Sequence, residues 1–187
     1  MKRCGWVTND LIYIDYHDHE WGRPTHDDQT LFEMLSLEGA QAGLSWITIL
    51  KRRENYRAAF DNFVPEKVAQ YDDEKVDELL HNDGIIRNRR KIESVITNAR
   101  VFLDIQREVG SFNDYIWQFV GGEPVLNNWA EHADVPSSTK ASEQMSKGLK
   151  KHGFKFVGPT ICYAFMQATG MVNDHTQDCF LGGKSYG

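Results

Sequence analysis

Two cysteines and two histidines near the ends of the chain form a donor set that could bind a metal. Cys4 and His17 are close to the N-terminus, and His175 and Cys179 are close to the C-terminus. The His-x-x-x-Cys spacing would place the last two side chains on one face of a helical turn. Two thiolates and two imidazoles suit tetrahedral Zn²⁺, and a metal here would restrain segments that otherwise fray. Packed or surface positions without a metal are the alternative, because the spacing is not a CxxC repeat.

Aromatic side chains are concentrated in the first part of the chain, near a single carboxylate. The aromatic residues are Trp6, Tyr13, Tyr16, Trp21 and Trp46, and the carboxylate is Glu38. An extrahelical base needs flat faces for stacking and hydrogen bonds to its polar edge, and these residue types supply both. A core rich in aromatic residues with a surface glutamate is the alternative, and for any single tryptophan it is the more frequent outcome.

The segment 149–161 predicts two helices joined by a tight turn. Gly153 would end the first helix, Gly158 would close the turn, and Pro159 would begin the second helix. Gly158 would let backbone approach a ligand, and the N–H groups of the following residues attract an anion such as a DNA phosphate. Positive charge surrounds this point, from Lys150, Lys151 and Lys155. An ordinary helical corner with solvated lysines is the alternative.

The elements that must position these residues are helical almost throughout, so the sequence predicts an all-α fold. Asp28 is predicted to cap a helix that ends at Gly43, and Ser45 to cap a second that runs to Phe60. Further helices are predicted to begin at Pro65, after Asp72, at Asn88 (running to about Val109) and after Ser111. Residues 121–139 show no periodicity and are predicted to form a connector.

Composition limits the class of protein. A chain of 187 residues with 41% hydrophobic content fits one domain, or one domain built from two helical lobes. A net charge of -6 argues against general nucleic-acid binding, so any DNA-binding basic residues must be gathered on one face. No apolar run is long enough to span a bilayer and the N-terminus lacks a signal-peptide core, so we expect a cytoplasmic protein without a membrane partner. Three cysteines cannot pair completely, and Cys162 lies in an apolar run typical of a core.

Several short motifs together closely resemble the bacterial DNA-3-methyladenine glycosylase I family. They are CGW (4–6), YHDHEWG (16–22), LFEM (31–34), LEG (37–39), QAGLSW (41–46) and GFKFVG (153–158). The resemblance runs from Met1 to about Cys179. It implies the helix-hairpin-helix glycosylase fold in a single domain, 1–187, with the base pocket between helical lobes. It also implies one structural Zn²⁺ per chain that joins the two ends, with the ligands Cys4, His17, His175 and Cys179.

The same resemblance implies the residues that contact the substrate. The base pocket would be made of Glu38, Tyr16 and Trp46, with Trp6 and Tyr13 close by. The turn formed by Gln41, Gly43 and Leu44 would fill the gap left in the DNA. Independently of the resemblance, the residues of the hairpin, the two helices and turn of segment 149–161, predict phosphate binding through Lys150, Lys151, Lys155 and the backbone from Gly158 to Thr160.

Two departures from the wider superfamily indicate the mechanism. Bifunctional relatives carry a lysine nucleophile where this chain has Thr160, so no lyase step is expected. Asn173 stands where many relatives have a catalytic aspartate, and the adjacent Asp174 is out of register. The interpretation is a monofunctional, monomeric enzyme that flips 3-methyladenine out of alkylated double-stranded DNA and leaves an abasic site, with Glu38 recognising the base rather than transferring protons.

Two other classes remain open on the sequence alone. A zinc-stabilised DNA-binding module would explain the hairpin and the metal ligands, but would have no use for a carboxylate beside several aromatic rings. A zinc hydrolase would use the same donor set, but four protein ligands leave no open position for water. Base release from alkylated DNA separates the three hypotheses.

Overall fold

The computed structural model describes residues 1–186, and most of them lie in helices. The α-helices are α1 (Leu11–His19), α2 (Asp28–Ala40), α3 (Trp46–Leu50), α4 (Arg53–Ala59), α5 (Pro65–Val68), α6 (Asp73–Leu80), α7 (Arg89–Val109), α8 (Phe112–Trp117), α9 (Lys140–His152) and α10 (Pro159–Ala168). Two strands of two residues each, β1 (Val125–Leu126) and β2 (Val172–Asn173), pair in parallel. The fold is helix-rich as predicted, and this short strand pair is the addition that the sequence did not predict.

Helix α2 lies at the centre of the hydrophobic core. All of its residues from Leu31 to Ala40 are buried, and it packs against α7, α8 and α10. The ring of Phe32 lies 5.2 Å from that of Phe102 on α7, centroid to centroid. Burial on all sides explains why the apolar residues of α2 are spread around the helix rather than confined to one stripe. Glu38, near the end of this helix, is therefore held by a buried part of the molecule.

The predicted N-cap of α2 is wrong by one residue. The side chain of Asp27 accepts a hydrogen bond from the Thr30 amide and caps the helix. Asp28 is instead the first helical residue, and its carboxylate accepts from the amides of Phe112 and Asn113 at the start of α8. Both aspartates therefore cap helix starts, and the partner of Asp28 comes from a segment that sequence spacing does not reveal.

The helix predicted from Ser45 to Phe60 is broken into α3 and α4. Ser45 occupies the N-cap position, but its hydroxyl bonds the Thr48 hydroxyl rather than a backbone amide. The break allows Arg53 to donate to Glu33 at 2.7 Å and to Glu20 at 2.7 Å. This partly buried ion-pair network ties α4 to α2 and to the segment after α1, which accounts for the interruption.

Four other predicted helix starts are confirmed. The side chains of Asp72, Asn88 and Ser111 each accept a hydrogen bond from a backbone amide three residues later. Pro65 begins α5 as predicted. Helix α1 was missed, because its exposed residues include Leu11 while its buried ones include His17, which reverses the usual amphipathic pattern.

The two helices predicted around residues 149–161 are also confirmed. Gly153 ends α9 in the left-handed conformation with φ of 105°, and Pro159 begins α10 after Gly158 at the N-cap. The turn is fixed from inside, because the Ser146 hydroxyl donates to the Val157 carbonyl at 2.6 Å. Within residues 1–186, no helix has the length and apolar character needed to cross a membrane.

Candidate functional site and metal centre

A cavity of about 170 Å³ is lined by side chains from α1, α2, α3 and α10 and from the loop 121–139. All five residues predicted to form a base pocket line it, namely Trp6, Tyr13, Tyr16, Glu38 and Trp46. The remaining lining residues are Trp21, Gln41, His132, Val135, Ala164 and Gln167. The structure thus brings together residues that are separated by up to 161 positions, from Trp6 to Gln167.

Aromatic rings form one wall of the cavity. The ring of Trp6 lies 4.9 Å from that of Tyr13 and 5.0 Å from that of Trp21, and the ring of Tyr16 lies 5.6 Å from that of Trp46. The indole N–H groups of Trp6 and Trp46 are buried and find no acceptor among residues 1–186. Because buried donors are normally paired, a ligand with acceptor atoms could satisfy them.

Glu38 projects from the last turn of α2 and is the acidic side chain of the cavity. It is only 4% exposed, and its carboxyl group makes no hydrogen bond with the described part of the chain. Burial raises the pKa of Glu38 to about 8. Burial also raises the pKa of Tyr16, and a charge on Glu38 would raise it further. At neutral pH the carboxyl is therefore largely protonated until a ligand that donates hydrogen bonds or carries positive charge favours its ionised form.

The loop 121–139 contributes to the cavity, which sequence reasoning missed. His132 and Val135 line it from this loop, and Ala164 and Gln167 line it from α10. A loop without periodicity gives no sequence signal for the surface that it covers. Its Asn, Pro and acidic residues predicted only a connector.

A second buried carboxylate fixes that loop. Asp174 is 1% exposed and accepts hydrogen bonds from Asn127 Nδ2 at 2.7 Å and from Trp129 Nε1 at 2.9 Å, both in the loop. It also accepts from the Tyr163 hydroxyl and from Gln167 Nε2 on α10. Asp174 therefore joins the loop to the helix that carries Gln167 into the cavity, and both of its oxygens are engaged.

The predicted metal ligands converge at one buried point. The ligand atoms of Cys4, His17, His175 and Cys179 lie within 4.8 Å of one another. Cys4 Sγ is 3.4 Å from His175 Nδ1, and Cys179 Sγ is 3.5 Å from His17 Nε2 and 3.7 Å from His175 Nδ1. Tetrahedral zinc with ordinary Zn–N and Zn–S bonds would separate nitrogen and sulfur ligands by about 3.5 Å. The donor set and its spacing therefore fit a four-coordinate metal.

The outer hydrogen bonds of both histidines support this arrangement. His17 Nδ1 bonds Asp18 at 2.7 Å, and His175 Nε2 bonds the Trp21 carbonyl at 3.0 Å. These bonds leave His17 Nε2 and His175 Nδ1 to face the other ligands, which is the usual arrangement around bound zinc. The predicted helical turn at His175–Cys179 is wrong. This segment is a non-helical turn closed by a bond from the Cys179 amide to the Thr176 carbonyl.

Comparison with known proteins identifies the family. The family model described as methyladenine glycosylase matches residues 6–182. The chain belongs to the methyladenine glycosylase family. DNA-3-methyladenine glycosylase 1 of Escherichia coli is 54% identical over 179 residues, which cover 96% of each chain. The prediction of a glycosylase, made from the sequence motifs, is confirmed by this membership.

Solved structures of 3-methyladenine DNA glycosylases match the fold of this chain. A crystal structure of 3-methyladenine DNA glycosylase I matches with a TM-score of 0.95 at 54% identity, covering 97% of this chain and 100% of that one. A 3-methyladenine DNA glycosylase I from Staphylococcus aureus, studied for its recognition of 3-methyladenine, matches with a TM-score of 0.95 at 39% identity. That match covers 100% of this chain and 99% of the other.

The turn after α2 of this glycosylase lies beside the cavity. Gln41 lines the cavity and donates through Nε2 to the Leu44 carbonyl at 2.7 Å. Gly43 adopts a positive φ of 77°, which favours glycine, and Leu44 is 37% exposed. The turn is thus internally braced and presents an apolar side chain to solvent.

The hairpin residues of this glycosylase form a separate exposed surface. Lys150, Lys151 and Lys155 are exposed and make no ion pair with another described residue. A Cβ placed on Gly158 would meet no atom within 4 Å, so its backbone is open to a ligand. Thr160 is exposed in the first turn of α10, near the amides that the helix leaves unpaired.

Proposed function

We propose that this chain is a monofunctional DNA glycosylase that flips 3-methyladenine out of double-stranded DNA, excises it and leaves an abasic site. The observation that carries the proposal is the buried Glu38 carboxyl, without a protein partner, in a cavity walled by aromatic rings. The S. aureus relative, with a TM-score of 0.95, is known for its recognition of 3-methyladenine, which supports the same ligand here.

Recognition of the base rests on stacking and on Glu38. Trp46 stacks on the flipped base, with Tyr16, Trp6 and Tyr13 around it. Glu38 accepts hydrogen bonds from the exocyclic amine of the adenine ring. The lesion carries a formal positive charge, which favours the ionised carboxylate and offsets the cost of its burial.

The chemical step needs little acid-base catalysis. Methylation at N3 weakens the glycosidic bond, so departure of the neutral base is intrinsically easy. The cavity contributes by binding the departing base better than the intact nucleoside, after which water adds to the oxocarbenium-like sugar. Thr160 and Asn173 supply neither a lysine nucleophile nor the superfamily aspartate. Asp174 already accepts four side-chain hydrogen bonds and is not free to activate water.

The metal centre has a structural role in this proposal. Zn²⁺, one per chain, would be held by Cys4, His17, His175 and Cys179 and would crosslink the two ends of the chain. With four protein ligands it leaves no position for a reacting water. The chemistry therefore depends on the cavity alone.

The exposed surfaces provide the contacts with DNA. The lysines of the hairpin and the amides from Gly158 to Thr160 bind phosphates, and the turn of Gln41, Gly43 and Leu44 fills the gap left by the flipped base. The protein acts as a cytoplasmic monomer. Its single helix-hairpin-helix domain, residues 1–187, places the base pocket between helical lobes.

Single-turnover release of 3-methyladenine from alkylated duplex DNA tests the proposed function. The wild-type protein should release the base, and Trp46→Ala should slow release. Trp117→Phe changes a tryptophan on α8 that does not line the cavity, and this control should act as wild type. DNA binding without base release would show that the chain is a binding module instead.

A further inference from the structure

The turn that lies beside the cavity is held by a lysine from another helix. Lys91, in the first turn of α7, donates through Nζ to the carbonyls of Ala40 at 2.9 Å and Ala42 at 2.6 Å. Ala40 is the last residue of α2, and Ala42 belongs to the turn 41–44. The carbonyls at a helix C-terminus lack partners within the helix and carry partial negative charge, so an ammonium group is well suited to hold them.

The hairpin is held by a second side chain of the same helix. The Asn98 amide donates to the Lys155 carbonyl at 3.0 Å and accepts from the Lys155 amide at 2.8 Å. Asn98 is 5% exposed, so both bonds are shielded from water. A paired bond to one backbone unit fixes the orientation of the turn 153–158 as well as its position.

Lys91 and Asn98 share one face of α7. They are seven residues apart, which is about two helical turns and about 10 Å along the axis. The α7 helix itself is anchored in the core through buried Ile92, Val95 and Ala99. Helix α2, which leads into the turn, also packs against the hairpin, since a Cβ on Gly39 would lie 3.4 Å from the Cβ of Phe156.

We propose that Lys91 and Asn98 are positioning residues that hold the turn 41–44 at a fixed distance from the hairpin 153–158. The inference rests on the proposed function, in which these two surfaces contact the same DNA. When the hairpin binds phosphates of the DNA, α7 places the turn 41–44 at the position in the duplex from which the base is flipped out. Lys91 acts through the turn and touches neither the base nor the phosphates.

Lys91→Met tests the proposal, because it keeps the length of the side chain and removes its hydrogen bonds. Excision from duplex DNA under single-turnover conditions should slow about tenfold, the loss expected for a charge-assisted bond to a positioned group. Binding of free 3-methyladenine should stay at the wild-type level, and Lys91→Arg should restore part of the excision rate. Arg90→Met, which removes a neighbouring charge that makes no bond to the turn, is the matched control. It should excise the base at the wild-type rate.

Asn98→Leu and the double variant extend the test. Because both residues set one distance, the double variant should slow excision less than the product of the two single effects. Thermal unfolding identifies folded variants, and Lys91→Gln replaces Lys91→Met if the latter does not fold. The proposal is overturned if Lys91→Met excises at the wild-type rate, loses free-base binding in parallel, or behaves as Arg90→Met. Failure of the wild-type protein to release the base would instead overturn the proposed function.

Discussion

Two buried carboxylates, Glu38 in the cavity and Asp174 behind the lining residue Gln167, have different roles: one is available to bind a ligand, and the other supports the structure. Glu38 has no hydrogen-bond partner in the described residues, and burial raises its pKa to about 8. Asp174 is equally buried but accepts bonds from four side chains. A buried polar group without a partner costs stability, and one with every partner in place adds rigidity. The unpaired carboxylate is therefore available to a ligand, and the paired one positions the loop.

The candidate metal centre, like Asp174, supports the structure rather than binding a ligand. Removal of its metal should have the largest effect on stability. We expect one zinc per chain by elemental analysis, and loss of the metal should lower the unfolding temperature and loosen both ends of the chain before it affects excision. Cys4→Ala should lose the metal. Cys162→Ala, at a buried thiol outside the cluster, should keep it. Protein purified without chelator that contains no zinc would contradict this assignment.

Asp174→Asn should destabilise the protein strongly. The amide places an NH₂ group against donors that need an acceptor, so the free energy of unfolding should fall by about 3 kcal/mol or more. Trp129→Phe removes one donor and should cost about 1 kcal/mol. Urea denaturation measures both changes. An unchanged midpoint for Asp174→Asn would mean that the loop does not depend on this carboxylate.

Glu38→Gln should stabilise the protein at high pH, whereas Asp174→Asn should destabilise it. Unfolded glutamate titrates near 4.5 and folded Glu38 near 8, so the folded state keeps a proton that the unfolded state has lost. The stability that Glu38 contributes to the wild-type protein therefore falls as pH rises from about 4.5 to about 8, and then stays low. Glu38→Gln should raise the free energy of unfolding by about 5 kcal/mol at pH 9 and hardly at pH 4. Equal effects at both pH values would show that Glu38 is not buried in a protonated form.

Trp46→Ala should weaken binding of free 3-methyladenine by about 1 to 3 kcal/mol through lost stacking. The excision rate should fall in parallel, because the same ring holds the flipped base. Calorimetric titration gives the affinity, and Trp117→Phe on α8, away from the cavity, is the control. An unchanged affinity for the base would remove Trp46 from the binding site.

The sequence predicted most helices and named five residues that the structure brings together around one cavity, but it did not reveal the residues that support this cavity. Asp72, Asn88 and Ser111 were predictable because a cap and its partner lie three residues apart. The resemblance to the family named the cavity residues and the four candidate metal ligands, and the structure brings each group together. Asp28, Lys91 and Asp174 were not predictable in their roles, because their partners lie far along the chain. The loop 121–139 was missed as a cavity wall because a loop without periodicity gives no signal for the surface that it covers.

Calorimetric titration with free 3-methyladenine tests the central claim most directly. The titration is made on the wild-type protein and on Glu38→Gln, in buffers of different ionisation enthalpy. If the neutral free base donates hydrogen bonds to an ionised Glu38 carboxylate, the wild-type protein should release close to one proton at pH 7, because the pKa of the free group is about 8. Glu38→Gln should bind more weakly by about 1.5 to 3 kcal/mol, without proton release, and should retain substantial excision. Wild-type affinity in Glu38→Gln together with complete loss of excision would contradict the account and make Glu38 a catalyst rather than a recognition residue.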